Sequence, residues 1–233
     1  MKIIVTCEHG GNRIPAQYRP LFRRHRAALE SHRGYDPGAL TLARDCAAAC
    51  DAELVYSTLS RLLVELNRSP GHPQVFSEVT RGLPAAERER LLARYYHPYR
   101  ACVDAQVRAA AKRSARAVHL SCHTFTPNLE GVERRADVGL LYDPRRAGET
   151  QVCAAWQREL RAAAPGLKIR RNYPYRGYAD GLTTSLRKRY PDDAYCGIEI
   201  EVNQKRTLGD AAAWRALRRT LIETFERARR VLA

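Results

Sequence analysis

The strongest constraint on this chain is its opening segment, Lys2-Ile-Ile-Val-Thr-Cys7, a short β-branched apolar run leading directly into Glu8-His9-Gly10-Gly11. Such a run reads as an interior strand of a largely parallel sheet, and the glycine pair forces a sharp exit from it. In open α/β sheets, ligands bind in the crevice outside the carboxyl ends of the strands. His9 is therefore delivered to the place where such a fold does its chemistry. A second histidine arrives the same way at the end of Ala117-Val-His-Leu-Ser-Cys-His123. Two strand-end histidines point to a shared metal ion.

The rest of the chain keeps the alternation of strand and helix signals. Strands are expected at Glu53–Ser57, Leu62–Leu66, Asp137–Tyr142, Leu167–Arg170 and Tyr195–Gln204. Helices are expected over Ala39–Cys50, Thr150–Ala164 and the closing stretch. A long helix opening at Leu83 is expected to break at His97-Pro98 and resume toward Lys112. The pattern predicts one α/β domain over residues 1–233, a three-layer α/β/α arrangement with a mostly parallel mixed sheet.

A chain of 233 residues, 45% apolar and 28% charged, has the composition of a soluble globular protein with a sizeable core. Its longest apolar runs fall well short of the ~20 residues of a membrane span. With a strand where a secretory leader would stand, a cytoplasmic protein is expected, without membrane association. The seven cysteines are odd in number and lack a Cys-x-x-Cys pair, which suits buried, reduced thiols. The net charge of +15 invites a nucleic-acid reading. However, the arginines are spread over helices rather than gathered in one tract, without aromatic-basic interleaving of the kind that stacks bases. Nucleic acid is therefore disfavoured as a partner, and an arginine-rich solvated surface is expected, part of it serving an anionic substrate. A non-catalytic, basic nucleic-acid-binding or adaptor protein is the alternative from another class. The oligomeric state is left open.

A hydrolytic zinc site takes about three ligands from His, Asp and Glu. His9 and His123 supply two, and Asp36, in Tyr35-Asp-Pro-Gly38, is the choice for the third, with Glu8 and Asn12 as competitors. The implied cofactor is one divalent cation, expected to be zinc. In Ile198-Glu-Ile-Glu-Val-Asn203 the apolar residues face one side, and Glu199, Glu201 and Asn203 the other. Glu201 suits the base that takes a proton from the attacking water and returns it to the leaving amine. Asn203 is expected to contact substrate. Arginine binds a carboxylate through a planar fork, so Arg68 with Asn67 is expected to hold a substrate carboxylate. Arg61 either polarises the scissile carbonyl or binds a second carboxylate. Arg176, in the tyrosine-rich loop Asn172–Gly177, offers a further anion contact. A thiol hydrolase built on Cys122 or Cys7 is disfavoured, because adjacent strand residues such as Cys122 and His123 point to opposite faces.

Taken in order, these segments resemble the N-formylglutamate amidohydrolase family. The matching stretches are Glu8–Pro15, Tyr35–Ala39, Ser60-Arg61 through Asn67-Arg68-Ser-Pro70, His97–Tyr99, Ser121–Phe125, Asn172–Gly177 and Glu199–Asn203. That family is distantly similar to the zinc carboxypeptidases and to the aspartoacylase and succinylglutamate desuccinylase deacylases. The resemblance implies a carboxypeptidase-like α/β/α fold, His9 and His123 as metal ligands, Asn67-Arg68 as a carboxylate clamp and Glu201 as the catalytic glutamate. The carboxypeptidases have a glutamate three residues after their first histidine. Here that position is Asn12, which turns the search for a third ligand to Asp36. The family's usual aspartate before Leu-Asn-Arg is Glu65 in this chain. The implied activity is hydrolysis of the acyl–nitrogen bond of a small anionic N-acyl amino acid, with Arg61 stabilising the oxyanion. A metallocarboxypeptidase-like hydrolase of a peptide or cell-wall fragment is the alternative.

Overall fold

The computed structural model describes residues 1–113 and 115–232. Its central sheet runs in the order β2 (Glu53–Tyr56), β1 (Lys2–Cys7), β3 (Ala117–Phe125), β8 (Tyr195–Asn203), β6 (Val138–Leu141) and β7 (Ile169–Arg171). Only the β6–β8 pair is antiparallel. A separate hairpin joins β4 (Asn128–Leu129) to β5 (Val132–Glu133). The helices are α1 (Arg26–Leu29), α2 (Ala39–Ala49), α3 (Ala85–Leu91), α4 (His97–Lys112), α5 (Ala147–Ala163), α6 (Leu182–Arg187), α7 (Gln204–Thr207) and α8 (Ala211–Ala228). The expected mostly parallel α/β architecture is what forms. None of the described helices is long and apolar enough to cross a membrane.

Each strand of the sheet sorts its side chains by alternation. On one face Val5, Leu120, Ile198 and Leu140 pack against Leu42 of α2, Trp156 of α5 and Phe225 of α8. The Trp156 and Phe225 ring centroids are 4.9 Å apart, and Trp156 Nε1 donates to Thr224 Oγ1 at 3.0 Å. Burying each of those rings contributes about 1.5–3 kcal/mol. On the other face Ile4, Ala117 and Tyr195 pack against Tyr99, Val103 and Val107 of α4 and Leu182 and Leu186 of α6. This second face turns polar toward the carboxyl ends of the strands. The register places Thr6 beside Ser121, Ser121 beside Glu199, and His123 beside Glu201.

Local departures from the sequence reading have physical causes. Leu62–Leu66, expected as a strand, is an irregular buried segment whose Glu65 N–H bonds Val75 O at 2.9 Å. A continuous apolar run looks the same whether it pairs in a sheet or fills a core. The expected break at His97-Pro98 does not occur. A π turn over Leu92–Tyr96 joins α3 to α4, and Pro98 falls at the start of α4, where its missing N–H costs little. Gly10 and Gly11 are required by close approach: a Cβ on either would lie 2.8 Å from Ser57 O or 2.7 Å from Thr58 O. Gly38 caps α2 with φ +88°, a left-handed conformation that favours glycine.

One buried histidine outside the cleft makes the fold pH-sensitive. His119 on β3 is wholly enclosed, with Nε2 2.8 Å from Thr6 Oγ1 and Nδ1 2.7 Å from Tyr195 OH. Burial pushes its pKa down to about 4, helped by the charges of Arg187, His123 and Arg100 and opposed by Glu8. The unfolded chain takes up a proton near pH 6.5 that the folded chain refuses until about pH 4, so stability falls as pH drops through that window. Between pH 7 and pH 4 this group is expected to remove about 3 kcal/mol. Denaturant unfolding at both pH values checks it, because His119→Gln should lose less stability over that interval than the parent chain.

Candidate functional site

The carboxyl ends of β1, β3 and β8 meet in one cleft. Glu8 and His9 leave β1 in a turn, His123 lies two residues before the end of β3, and Glu201 lies two before the end of β8. The loop bearing Asp36 is stitched across them. Asp36 N–H bonds His9 O at 2.9 Å, while Thr124 Oγ1 donates to Pro37 O at 3.0 Å. As a result Asp36 Oδ2 stands 3.2 Å from His9 Nδ1 and 2.9 Å from His123 Nδ1. The three residues each offer a ligand atom within 4.8 Å of the others, and all three are buried.

The far nitrogen of each imidazole is also held by a carboxylate. His9 Nε2 meets Glu65 Oε1, and His123 Nε2 lies 2.9 Å from Glu8 Oε2. Arg61 spans the first of these arms, reaching Glu65 Oε2 from Nη2 at 2.6 Å and Asp36 Oδ1 from Nη1 at 3.3 Å. Burial alone would raise the carboxyls of Glu8, Asp36 and Glu65. The neighbouring imidazoles outweigh it for Glu8 and for Asp36, where Arg61 adds to them, and Arg61 followed by His9 outweighs it for Glu65, so all three are held well below the usual carboxylate range. The same pairings raise His9 and His123 against the effect of burial. Glu201 has no such partner. Its Oε2 is buried and makes no hydrogen bond among the described residues. Burial pushes its carboxyl up to about 8, reinforced by the charges of Asp36 and Glu199 and opposed by His123 and Arg61.

Two imidazole nitrogens and one carboxylate oxygen, converging in a buried pocket and each backed by a further polar partner, fit a divalent cation of the zinc type. They line a cleft of about 430 Å³. Asn67, Arg68, Tyr175, Arg176 and Asp180 line its outer part. Asn67 Oδ1 accepts the Leu182 N–H at 2.8 Å, which fixes the amide. Arg68 donates through Nη1 to the Asp180 carbonyl, and the Asp180 carboxylate accepts from Ser69 N at 2.9 Å and from Ser69 Oγ. Neither Arg68 nor Arg176 has a carboxylate partner among the described residues.

The structure thus brings His9, Asp36, Arg61, Asn67, Arg68, His123, Arg176 and Glu201 to one cleft. Asn203 is a correction. It shares the face of Glu201 by alternation, but the chain turns into α7 there and consumes its amide: Oδ1 accepts from Lys205 N at 3.0 Å, and Nδ2 donates to Arg134 O and Ala136 O, each at 2.9 Å. Asn12 turns away to Leu29 O. Cys7 and Cys122 lie in the core on the opposite face of the sheet, where burial raises both thiols, so neither stands beside a catalytic imidazole. Sequence reasoning missed the paired roles of Glu65 and Glu8. The i, i+2 spacing of Thr6, on an otherwise apolar strand, and Glu8, just past its end, was the available signal for the latter.

A family model for N-formylglutamate amidohydrolase matches residues 1–207. The chain belongs to the N-formylglutamate amidohydrolase family. Every cleft residue falls within the matched span, while α8 lies beyond it and adds core packing. The fold is similar to that of gene product Atu2144 from Agrobacterium tumefaciens, with a TM-score of 0.84 and 27% identity over 97% of this chain and 90% of that one. It is also similar in fold to N-formylglutamate amidohydrolase from Ralstonia eutropha JMP134, with a TM-score of 0.75 and 22% identity over 100% of this chain and 94% of that one. No curated protein matches the chain significantly.

If His9, Asp36 and His123 are the ligand set, deleting one should cost more zinc affinity than the roughly 10–100-fold typical of losing an outer partner. Chelator competition on His123→Ala and Asp36→Ala, with circular dichroism to verify folding, measures this.

Proposed function

We propose that the protein is a metal-dependent amidohydrolase that releases the acyl group from a small anionic N-acyl amino acid, N-formylglutamate being the first candidate. One observation carries the reading: His9 Nδ1, Asp36 Oδ2 and His123 Nδ1 converge at the floor of a cleft that also holds the unpartnered Glu201 Oε2. A divalent cation on those three ligands, zinc by their donor chemistry, would supply Lewis acidity at the acyl carbonyl.

The chain's own residues account for the remaining tasks. Arg68, steadied by the Asp180 carbonyl, and Asn67 grip the α-carboxylate of the substrate. Arg176, on the opposite loop of the cleft, meets a second carboxylate when the amino acid is glutamate. Arg61 is held from two sides by Glu65 and Asp36, so it points its charge toward the developing oxyanion without needing to reorganise. Glu201, whose Oε2 has no hydrogen-bond partner among the described residues, accepts the proton of the attacking water there and returns it to the departing nitrogen. No cysteine takes part.

Release of free amino acid from a panel of N-formyl and N-acyl amino acids, with short peptides alongside, tests the proposal. Cleavage of N-formylglutamate is expected to stop on chelation and to return with added zinc. Glu201→Gln should lower kcat by about 10²–10⁴-fold. Arg68→Ala should instead act mainly on KM, raising it by about 10–100-fold for the loss of charge-assisted bonds to the carboxylate. Cleavage that survives exhaustive metal removal, or that prefers peptides, would overturn this reading.

A further inference from the structure

Glu8 is the least expected charge in the molecule. It is wholly buried, and no arginine or lysine among the described residues pairs with it. Its surroundings are one imidazole and the hydroxyls of Tyr99, Ser121 and Thr6. Tyr99 OH donates to Oε1 at 2.8 Å, Ser121 Oγ donates to Oε2 at 2.7 Å, and His123 Nε2 lies 2.9 Å from Oε2. Taking a carboxylate out of water costs several kcal/mol unless its partners are well placed. A chain that keeps one here, with neutral hydroxyls as its main support, is maintaining an interaction that an apolar residue would not supply.

We infer that Glu8 is a positioning residue for the metal centre, acting through His123, with Tyr99 and Ser121 holding it in place. The inference rests on the proposed metal-dependent reading. Both Glu8 oxygens are occupied, so it does not compete with Asp36 as a third ligand. With a cation bound, Glu8 Oε2 would keep the proton on His123 Nε2 and leave Nδ1, the nitrogen beside Asp36 Oδ2, to offer its lone pair to the ion. Glu8 thereby selects the ring tautomer as well as the ring orientation. Two features of the fold supply the support. Strand alternation puts Ser121 two residues before His123 on the same face, and the π turn ahead of α4 ends just before the helix that carries Tyr99.

This arm differs from the one on His9. Glu65, which holds His9, is itself gripped by Arg61 at the half-exposed wall of the cleft, so a change there disturbs substrate and metal together. Glu8, Tyr99 and Ser121 do not line the cleft. Their removal should register as a change in metal binding.

The test is zinc affinity of the purified full-length chain, measured by competition with a chromophoric chelator, together with ¹⁵N chemical shifts of the His123 ring in the zinc-loaded chain. Glu8→Gln keeps the shape but presents an amide to partners that need a carboxylate. It is expected to weaken zinc binding by about 10–100-fold and to move the His123 ring away from a single Nε2-protonated form. Tyr99→Phe removes one supporting bond, and is expected to shift both readouts in the same direction by less. Should Glu8→Gln fail to fold, Tyr99→Phe carries the test alone. A folded Glu8→Gln or Tyr99→Phe chain with parental zinc affinity and an unaltered ring tautomer overturns the inference while leaving the metal-dependent reading intact. A parent chain that binds no zinc overturns both.

Discussion

A single carboxylate oxygen, Oδ2 of Asp36, faces Nδ1 of both His9 and His123, and the cleft is arranged around that double contact. The three groups come from a turn after β1, the loop before α2 and the interior of β3. Charges buried this deeply persist only when each is answered by another at close range. Asp36 is answered by two imidazoles and Arg61, and each imidazole by a second carboxylate behind it. The result is a closed set in which no member is dispensable, since losing one leaves an uncompensated charge in a low-dielectric pocket. Pro37 serves the same end through its backbone, its carbonyl accepting from Thr124 and Thr207 and so tying the Asp36 loop to β3 and α7.

The sheet supplies the ruler against which that set is built. Parallel pairing of β1, β3 and β8 aligns their carboxyl ends, and the register puts His123 directly beside Glu201. Because side chains alternate, the residues just before them, Cys122 and Ile200, enter the apolar core formed with α2, α5 and α8. The same strands therefore deliver chemistry to one face and cohesion to the other. The family match ends at residue 207, before α8, in keeping with that division. Helix α8 contributes packing against a sheet whose working groups are already assembled.

Legibility from sequence tracked how local the physical cause was. His9 and His123 stood out because an apolar strand followed by a turn is a signal within a short stretch of chain, and Glu201 because alternation singles out one face of β8. Asn203 obeys the same alternation, yet it caps α7, since the face of a strand loses its meaning at the residue where the chain turns. Leu62–Leu66 misled for a related reason: burial is uniform along it, but no neighbouring strand is there to pair with it. Gly10 and Gly11 were correctly read as forcing a sharp exit from β1, although the cause is the carbonyls of Ser57 and Thr58 pressing against them, a contact between segments about 47 residues apart.

From the sequence alone came the layered α/β class, the sidedness of each strand, and hence the short roll of groups able to reach the crevice at the strand ends. These follow from periodicity, a property of neighbouring residues. The tertiary structure decided which carboxylate does what. Asp36 faces the two Nδ1 atoms, Glu65 and Glu8 brace the rings from behind, and Glu201 is left without a partner. Four acids that look alike in the chain are separated by contacts of about 3 Å between segments far apart in sequence, and hydrogen bonds and buried charges are sensitive to distance on that scale.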